Sequence, residues 1–135
     1  MVVSLFAMLA GVSVYAQSSR RLMATIPFDF VVGETTLPAG DYIVNRPTRY
    51  NPDLLVIQLA DAHSQAIVWT HRLQAKAIQA KAELVFNRYG ERYFLARVWA
   101  PGDGFGQEVV KGRLEGELAK GGSKSEKASL MARQQ

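Results

Sequence analysis

The sequence predicts an all-β, mainly antiparallel domain, built as a small six-stranded open barrel or β-sandwich with a short C-terminal helix. Three observations support this prediction. Residues 24–32 alternate apolar and polar side chains with a period of two, which is typical of a half-buried strand. Short segments rich in Gly, Pro and Asn separate the later apolar runs. Within residues 108–120, Val110, Leu114 and Leu118 lie four residues apart, as on one face of a short helix.

The amino-terminal half predicts four of the strands. Residues 24–32 and 41–45 flank the turn sequence LPAG and should form an antiparallel pair. Residues 54–59 (LLVIQL) are apolar at both alternating sets of positions, which predicts a central strand buried on both faces. Residues 66–72 return from that strand after a short polar turn.

Residues 83–99 (ELVFNRYGERYFLARVW) predict a β-hairpin and supply the last two strands. Asn87 and Gly90 fit the first and fourth positions of a type I turn, and β-branched and aromatic residues flank them; two other registers fit the same residues. The preceding residues 74–83 suit either a helical turn or a connection. Residues 100–106 (APGDGFG) predict a loop.

The two ends of the chain differ in composition from its middle. Residues 1–16 are uncharged and apolar, which predicts a signal peptide cleaved before Gln17 and export to the periplasm or the outside of the cell. Because the first basic residue is Arg20, we expect that the start codon is placed too late. Residues 17–119 predict a single domain, and residues 120–135 a disordered basic tail. The apolar run is shorter than the roughly 20 residues of a bilayer span, so no stable membrane span is expected after cleavage.

Composition and motifs argue against several classes of function. The chain has no cysteine, which excludes disulfides, thiolate metal sites and a cysteine nucleophile. Its net charge of +4 resides mostly in the tail, and the nearly neutral remainder does not favour a nucleic-acid partner. His63 and His71, with Asp61 as the one nearby carboxylate, form an incomplete ligand set. No GxSxG, GxxxxGK or HExxH motif occurs. We therefore expect no metal, no cofactor and no enzymatic activity.

The stretch FNRYGERYFLARVWAPGDGFG, residues 86–106, is the part of the chain best suited to recognise a ligand. Its arginines alternate with aromatic rings, which can stack on a sugar while polar groups bond the hydroxyls. The candidate ligand-binding residues are Tyr89, Arg92, Trp99, Asp103, Phe105 and Trp69.

The same stretch also has a purely structural interpretation. Cross-strand aromatic pairs stabilise a hairpin by about 0.2 to 1 kcal/mol each without any ligand. In that interpretation Tyr93 and Trp99 cover a core, and the alternation of the rings favours it. The core would then be formed by Phe86, Phe94, Leu95 and Val98.

Two segments resemble a group of short bacterial proteins that carry signal peptides and have no assigned function. They are TIPFDFVVGETTLPAGDYIV at residues 25–44 and LVFNRYGERYFLARVWAPGDGFG at residues 84–106. The resemblance covers residues 24–119 and implies an exported, β-rich domain. It implies no particular activity, ligand or catalytic residue.

The function we expect is that of an exported, non-enzymatic β-domain that interacts with an envelope protein or a component of the cell surface. The alternative is a small carbohydrate or apolar-ligand binding module that uses residues 86–106. The placement of Trp69, Tyr93 and Trp99 distinguishes the two. A ligand module needs such rings around an open, concave pocket, whereas an interaction domain has them buried or on a flat patch.

Overall fold

A computed structural model describes residues 21–48, 50–61, 63–75, 77, 81–102 and 104–134. Ten strands and one helix follow one another in these residues. They are β1 (Arg21–Ile26), β2 (Phe30–Val32), β3 (Thr35–Leu37), β4 (Gly40–Asn45), β5 (Leu54–Leu59), β6 (Gln65–Gln74), β7 (Ala82–Tyr89), β8 (Arg92–Trp99), β9 (Phe105–Val109), α1 (Arg113–Lys120) and β10 (Glu126–Gln134). The predicted signal peptide, residues 1–16, lies outside the described residues.

Eight of the strands close into an antiparallel barrel in the order β1, β4, β5, β6, β9, β8, β7, β10. The pairing of β10 with Leu22 and Met23 of β1 completes the ring. The all-β, mainly antiparallel class is therefore confirmed. The six-stranded open barrel or sandwich is wrong, because β9 and β10 add two strands that the sequence did not predict, and they close the wall.

The interior of the barrel is the hydrophobic core. Strand β6 shows the alternation clearly, since Ala66 and Val68 are buried while Ile67 and Trp69 are exposed. Each fully buried apolar side chain of this kind contributes roughly 1.5 to 3 kcal/mol. The largest such side chains are Tyr42, Phe30, Phe86, Leu22, Ile26, Leu55, Ile57 and Leu84.

The hairpin of β2 and β3 fills a gap in the wall. Strand β2 runs parallel to the first half of β8, where Phe30 pairs with Tyr93, whereas β9 pairs with the second half. The predicted strand 24–32 is thus two strands, because Pro27 has no N–H to donate to a ladder. The chain crosses at Phe28, whose ring stacks on Tyr93 at 3.7 Å between centroids.

The β7–β8 hairpin is confirmed, but its turn is at Gly90 and Glu91 rather than at residues 87–90. Gly90 has φ +65°, which glycine adopts without strain, so the chain reverses over two residues and Asn87 stays within β7. A β-bulge leaves Ala96 unpaired, because Leu95 pairs with Phe86 and Arg97 with Val85. As a result Leu95 and Val98, which lie three residues apart, both enter the core.

The core predicted for the hairpin is correct for three of its four residues. Phe86, Leu95 and Val98 belong to the core. Phe94 is buried instead on the outer wall, edge to face with Tyr89 at 5.5 Å between ring centroids. The outer side of this hairpin is therefore also covered.

Helix α1 is shorter than the helix predicted from residues 108–120, because residues 105–109 form β9. Gly112 precedes the helix and has no side chain with which to cap it. Glu34, in the turn between β2 and β3, accepts a hydrogen bond from the N–H of Arg113 and caps the helix from outside. No helix in the described ranges is long and apolar enough to cross a membrane.

The C-terminal segment forms β10 where the sequence predicts disorder. The segment is charged and follows two glycines, but inward-facing and outward-facing residues alternate along it with a period of two. Ala128, Leu130 and Ala132 pack against the core, and the residues between them face outward. Residues 126–132 pair with β7, so the segment gains both hydrogen bonds and burial.

Candidate functional site

The residues predicted to bind a ligand lie on several different surfaces. Tyr89 and Arg92 are cross-strand neighbours beside the β7–β8 turn. Tyr89 is 8% exposed and its hydroxyl donates to Glu115 at 3.1 Å, whereas Arg92 is exposed. Asp103 lies outside the described residues.

The remaining predicted rings lie apart from one another. Trp99 is half-buried and its ring lies over Gly106, so closely that a Cβ there would be 2.5 Å from the ring. Phe105 is the neighbour of Gly106 on β9 and therefore faces the other side, beneath the guanidinium of Arg72 at 4.7 Å. Trp69 stands on the outside of β6 and is 66% exposed. The described rings of the predicted set thus form no common stacking platform.

Trp69 belongs instead to an apolar strip on the outer wall of the barrel, which we call the outer stripe. The register of β5 and β6 pairs Leu54 with Trp69 and Val56 with Ile67, so these side chains share one side of the sheet. Val110 adjoins them, since its N–H donates to the carbonyl of Trp69 at 3.0 Å. Ile67 is 57% exposed. The outer stripe is defined as Leu54, Val56, Ile67, Trp69 and Val110.

The border of the outer stripe is polar. At one end Gln58 pairs with Gln65, and at the other His71 pairs with Glu108. The outside of a closed barrel is convex. A small molecule could therefore touch this surface but could not be enclosed by it.

The apolar pattern of residues 54–59 is the sequence signal for the outer stripe. Residues 54–59 are apolar at both alternating sets of positions, which predicted burial on both faces. In the structure Leu55 and Ile57 are in the core, while Leu54 and Val56 are half-buried on the outer wall. A strand of a small barrel has one face in the core, so a second apolar face marks a surface.

A cleft of about 290 Å³ lies beside α1 and the outer faces of β7, β8 and β9. No sequence pattern indicates this cleft, because its residues are far apart in the chain. The ionisable residues of its lining are His71, Arg97, Glu108, Lys111, Glu115 and Lys127.

A buried polar network forms one wall of this cleft. Asn87 is 5% exposed and donates through Nδ2 to Glu115 Oε2 at 2.8 Å. Lys127 Nζ donates to Asn87 Oδ1 at 2.6 Å. Asn87 therefore connects an ammonium to a carboxylate, and each side of its amide has the partner that its chemistry requires.

Tyr89 is the fourth residue of the network, and the network changes its pKa. Burial raises the pKa of Tyr89 above its ordinary value, and the negative charge of Glu115 and their hydrogen bond raise it further. The phenol therefore remains a proton donor to Glu115. No group of three or more His, Asp or Glu residues in the described ranges is placed to hold a metal ion.

Comparison with known proteins identifies no relative. No protein-family model matches the chain, and neither does any curated protein or solved structure. Inferences about function therefore rest on the outer stripe and the cleft.

Proposed function

We propose that this protein is an exported, non-enzymatic β-barrel domain that binds another protein of the cell envelope through the outer stripe. The observation that carries the proposal is that Ile67 and Trp69, neighbours on the outer side of β6, are 57% and 66% exposed. Each lies beside a half-buried apolar residue of β5, Val56 or Leu54. Clustered large apolar side chains at a surface mark sites of association. Export is inferred from the uncharged, apolar residues 1–16.

The shape and borders of the outer stripe favour a protein partner over other classes. A convex wall suits a broad partner surface rather than a small ligand. A membrane surface is usually bound through several basic residues around an apolar face, whereas the neutral Gln58 and Gln65 border one end of this one, and Lys111 at the other end lies near Glu108. Both strands are held in a continuous ladder, so little conformational entropy is lost on binding.

Trp69 should dominate the binding energy. A buried tryptophan removes on the order of 200 Å² from water. The exposed two thirds of this ring would contribute about 3 kcal/mol at 25 cal/mol per Å². Truncation of a tryptophan at the centre of an interface commonly weakens the binding free energy by at least about 2 kcal/mol, which corresponds to roughly 30-fold in affinity.

Site-specific photo-crosslinking in the source cells tests this proposal. A photoreactive residue in place of Gln65 should give a discrete heterologous adduct, and one in place of the exposed Arg92 should not. Trp69→Ser should weaken the adduct strongly. Met131→Ser is the matched control, since Met131 is 55% exposed on β10, which pairs with β1 and β7 and with neither strand of the outer stripe. Equal adducts from both positions would contradict the proposal, and an adduct consisting only of a second copy of this chain would replace the envelope partner with self-association.

The alternative, a ligand module built on the rings of residues 86–106, receives no support from their placement. Tyr89 is covered, Trp99 lies against Gly106, and Phe105 faces the opposite side of β9.

A further inference from the structure

The buried face of α1 carries a carboxylate where packing alone would favour an apolar residue. Glu115 is 4% exposed, while Leu114 on the same helix is 36% exposed. Polar groups buried in a hydrogen-bonded network usually stabilise a fold no better than apolar side chains of the same volume. The network of Glu115, Asn87 and Lys127 therefore has no evident advantage for folding. Its position at the wall of an open cleft points to a role in binding.

The charges around the cleft favour an anion. Arg97, Lys111 and Lys127 face two carboxylates, and one of these, Glu108, is already paired with Arg97 Nε at 3.4 Å. Lys127 uses one N–H on Asn87. Since an ammonium has three N–H donors and a guanidinium five, Lys127 and Arg97 both retain N–H groups that can bind a ligand carboxylate.

The two carboxylates restrict which anion fits. Glu108 and Glu115 would repel a doubly charged phosphate or sulfate, but carboxylate oxygens accept hydrogen bonds from hydroxyl groups. Asn87 is uncharged and adds no further repulsion toward a ligand in the cleft. The volume of about 290 Å³ is near the lower end of small-molecule sites, which suits one sugar ring. Among the described residues no Phe, Tyr or Trp lines the cleft, so a neutral sugar would lack the large ring on which it usually stacks.

From these features we infer that the cleft beside α1 binds a hexuronate, a single sugar ring with one carboxylate. The carboxylate lies toward Arg97 and Lys127, and the ring hydroxyls donate to the carboxylates of Glu108 and Glu115. This inference is independent of the protein partner proposed for the outer stripe, although Val110 borders both surfaces.

Titration of the full chain with D-glucuronate, followed by amide shifts in ¹H–¹⁵N spectra, tests the inference. Saturable shifts should include the amides of Asn87, Arg97 and Lys127. D-Glucose should bind at least about tenfold more weakly because it lacks the charge, and inorganic phosphate should also bind more weakly. Absence of saturable shifts, or equal binding of glucose or of phosphate, would overturn the inference.

A matched pair of lysine variants locates the site. Lys127→Gln should weaken glucuronate binding about tenfold while keeping a donor for Asn87. Lys124→Gln removes the same charge from an exposed position outside the lining and should bind like the wild type. Thermal unfolding of both variants controls for folding. Equal losses in the two variants would show only a general effect of charge and would contradict binding in the cleft.

Discussion

Replacement of Gly112 by alanine tests how α1 is seated above the cleft. A Cβ at this position would lie 2.2 Å from the carbonyl oxygen of Gly33 and 2.8 Å from Glu34 Oε1. Gly112 has φ −78° and ψ 178°, which alanine adopts freely, so any loss must come from these contacts. The obstacle is backbone in a tight turn, where Gly33 itself has φ +62°. The helix would therefore have to move away.

The expected loss combines two effects. Overpacking against a rigid neighbour costs about 1 to 3 kcal/mol. Displacing the helix also weakens the cap that Glu34 provides to Arg113, which is worth about 1 kcal/mol. Gly112→Ala should therefore lower the free energy of unfolding by roughly 2 to 4 kcal/mol.

Urea unfolding followed by circular dichroism measures this loss, with Gly116→Ala as the matched control. Gly116 lies within α1 with nothing within 4 Å of an added Cβ, so its replacement should stabilise the protein by about 1 kcal/mol. If both variants were equally stable, α1 would not rest on the turn between β2 and β3. The geometry of the cleft would then be wrong as well.

Three further predictions concern the network, the barrel and the surface. Tyr89→Phe removes a phenol whose folded-state pKa is raised, so the stability it contributes is complete below its ordinary pKa of 10.0 and is lost as pH rises through the folded value. In parallel urea titrations above about pH 10 the variant should lose less stability than the wild type, and equal slopes would refute this assignment. Deletion of residues 126–134 removes β10 from between β7 and β1, so the cooperative thermal transition should disappear; an unchanged transition would show that β10 does not close the barrel. Trp69→Ser should lower the free energy of unfolding by no more than about 2 kcal/mol, because only a third of the ring is covered, and a larger loss would mean that the ring chiefly stabilises the fold rather than a complex.

The parts of the fold predicted correctly depend on local patterns. The return of β6 along β5 and the β7–β8 hairpin each follow from alternation next to a short turn. The pairing of β1 with β4 was predicted as well, although the β2–β3 hairpin separates these two strands in the chain. Closure of the barrel does not follow from any local pattern, because β10 pairs with β1, more than 100 residues away, through only Leu22 and Met23. Small alanines on its inner side also give a weak hydrophobic signal.

The candidate sites were predicted less well than the fold, since they depend on which residues the fold brings together. Trp69 was named from its residue type, but the sequence assigned it to a ligand site rather than to the outer stripe. Glu115, Asn87 and Lys127 come from α1, β7 and β10, and their hydrogen bonds span 28 and 40 residues of sequence. Asn87 was assigned to a turn because a pattern of Asn and Gly three residues apart is typical of one.

Oxidative footprinting of Trp69 in the purified protein and in the envelope fraction of the source cells tests the proposed interaction most directly. In the purified protein Trp69 and Met131 should both be labelled, because they are 66% and 55% exposed. In the envelope fraction we predict that Trp69 and Ile67 are protected while Met131, on the distant strand β10, is labelled as before. Equal labelling of Trp69 in the two samples would contradict the proposal that a partner covers the outer stripe.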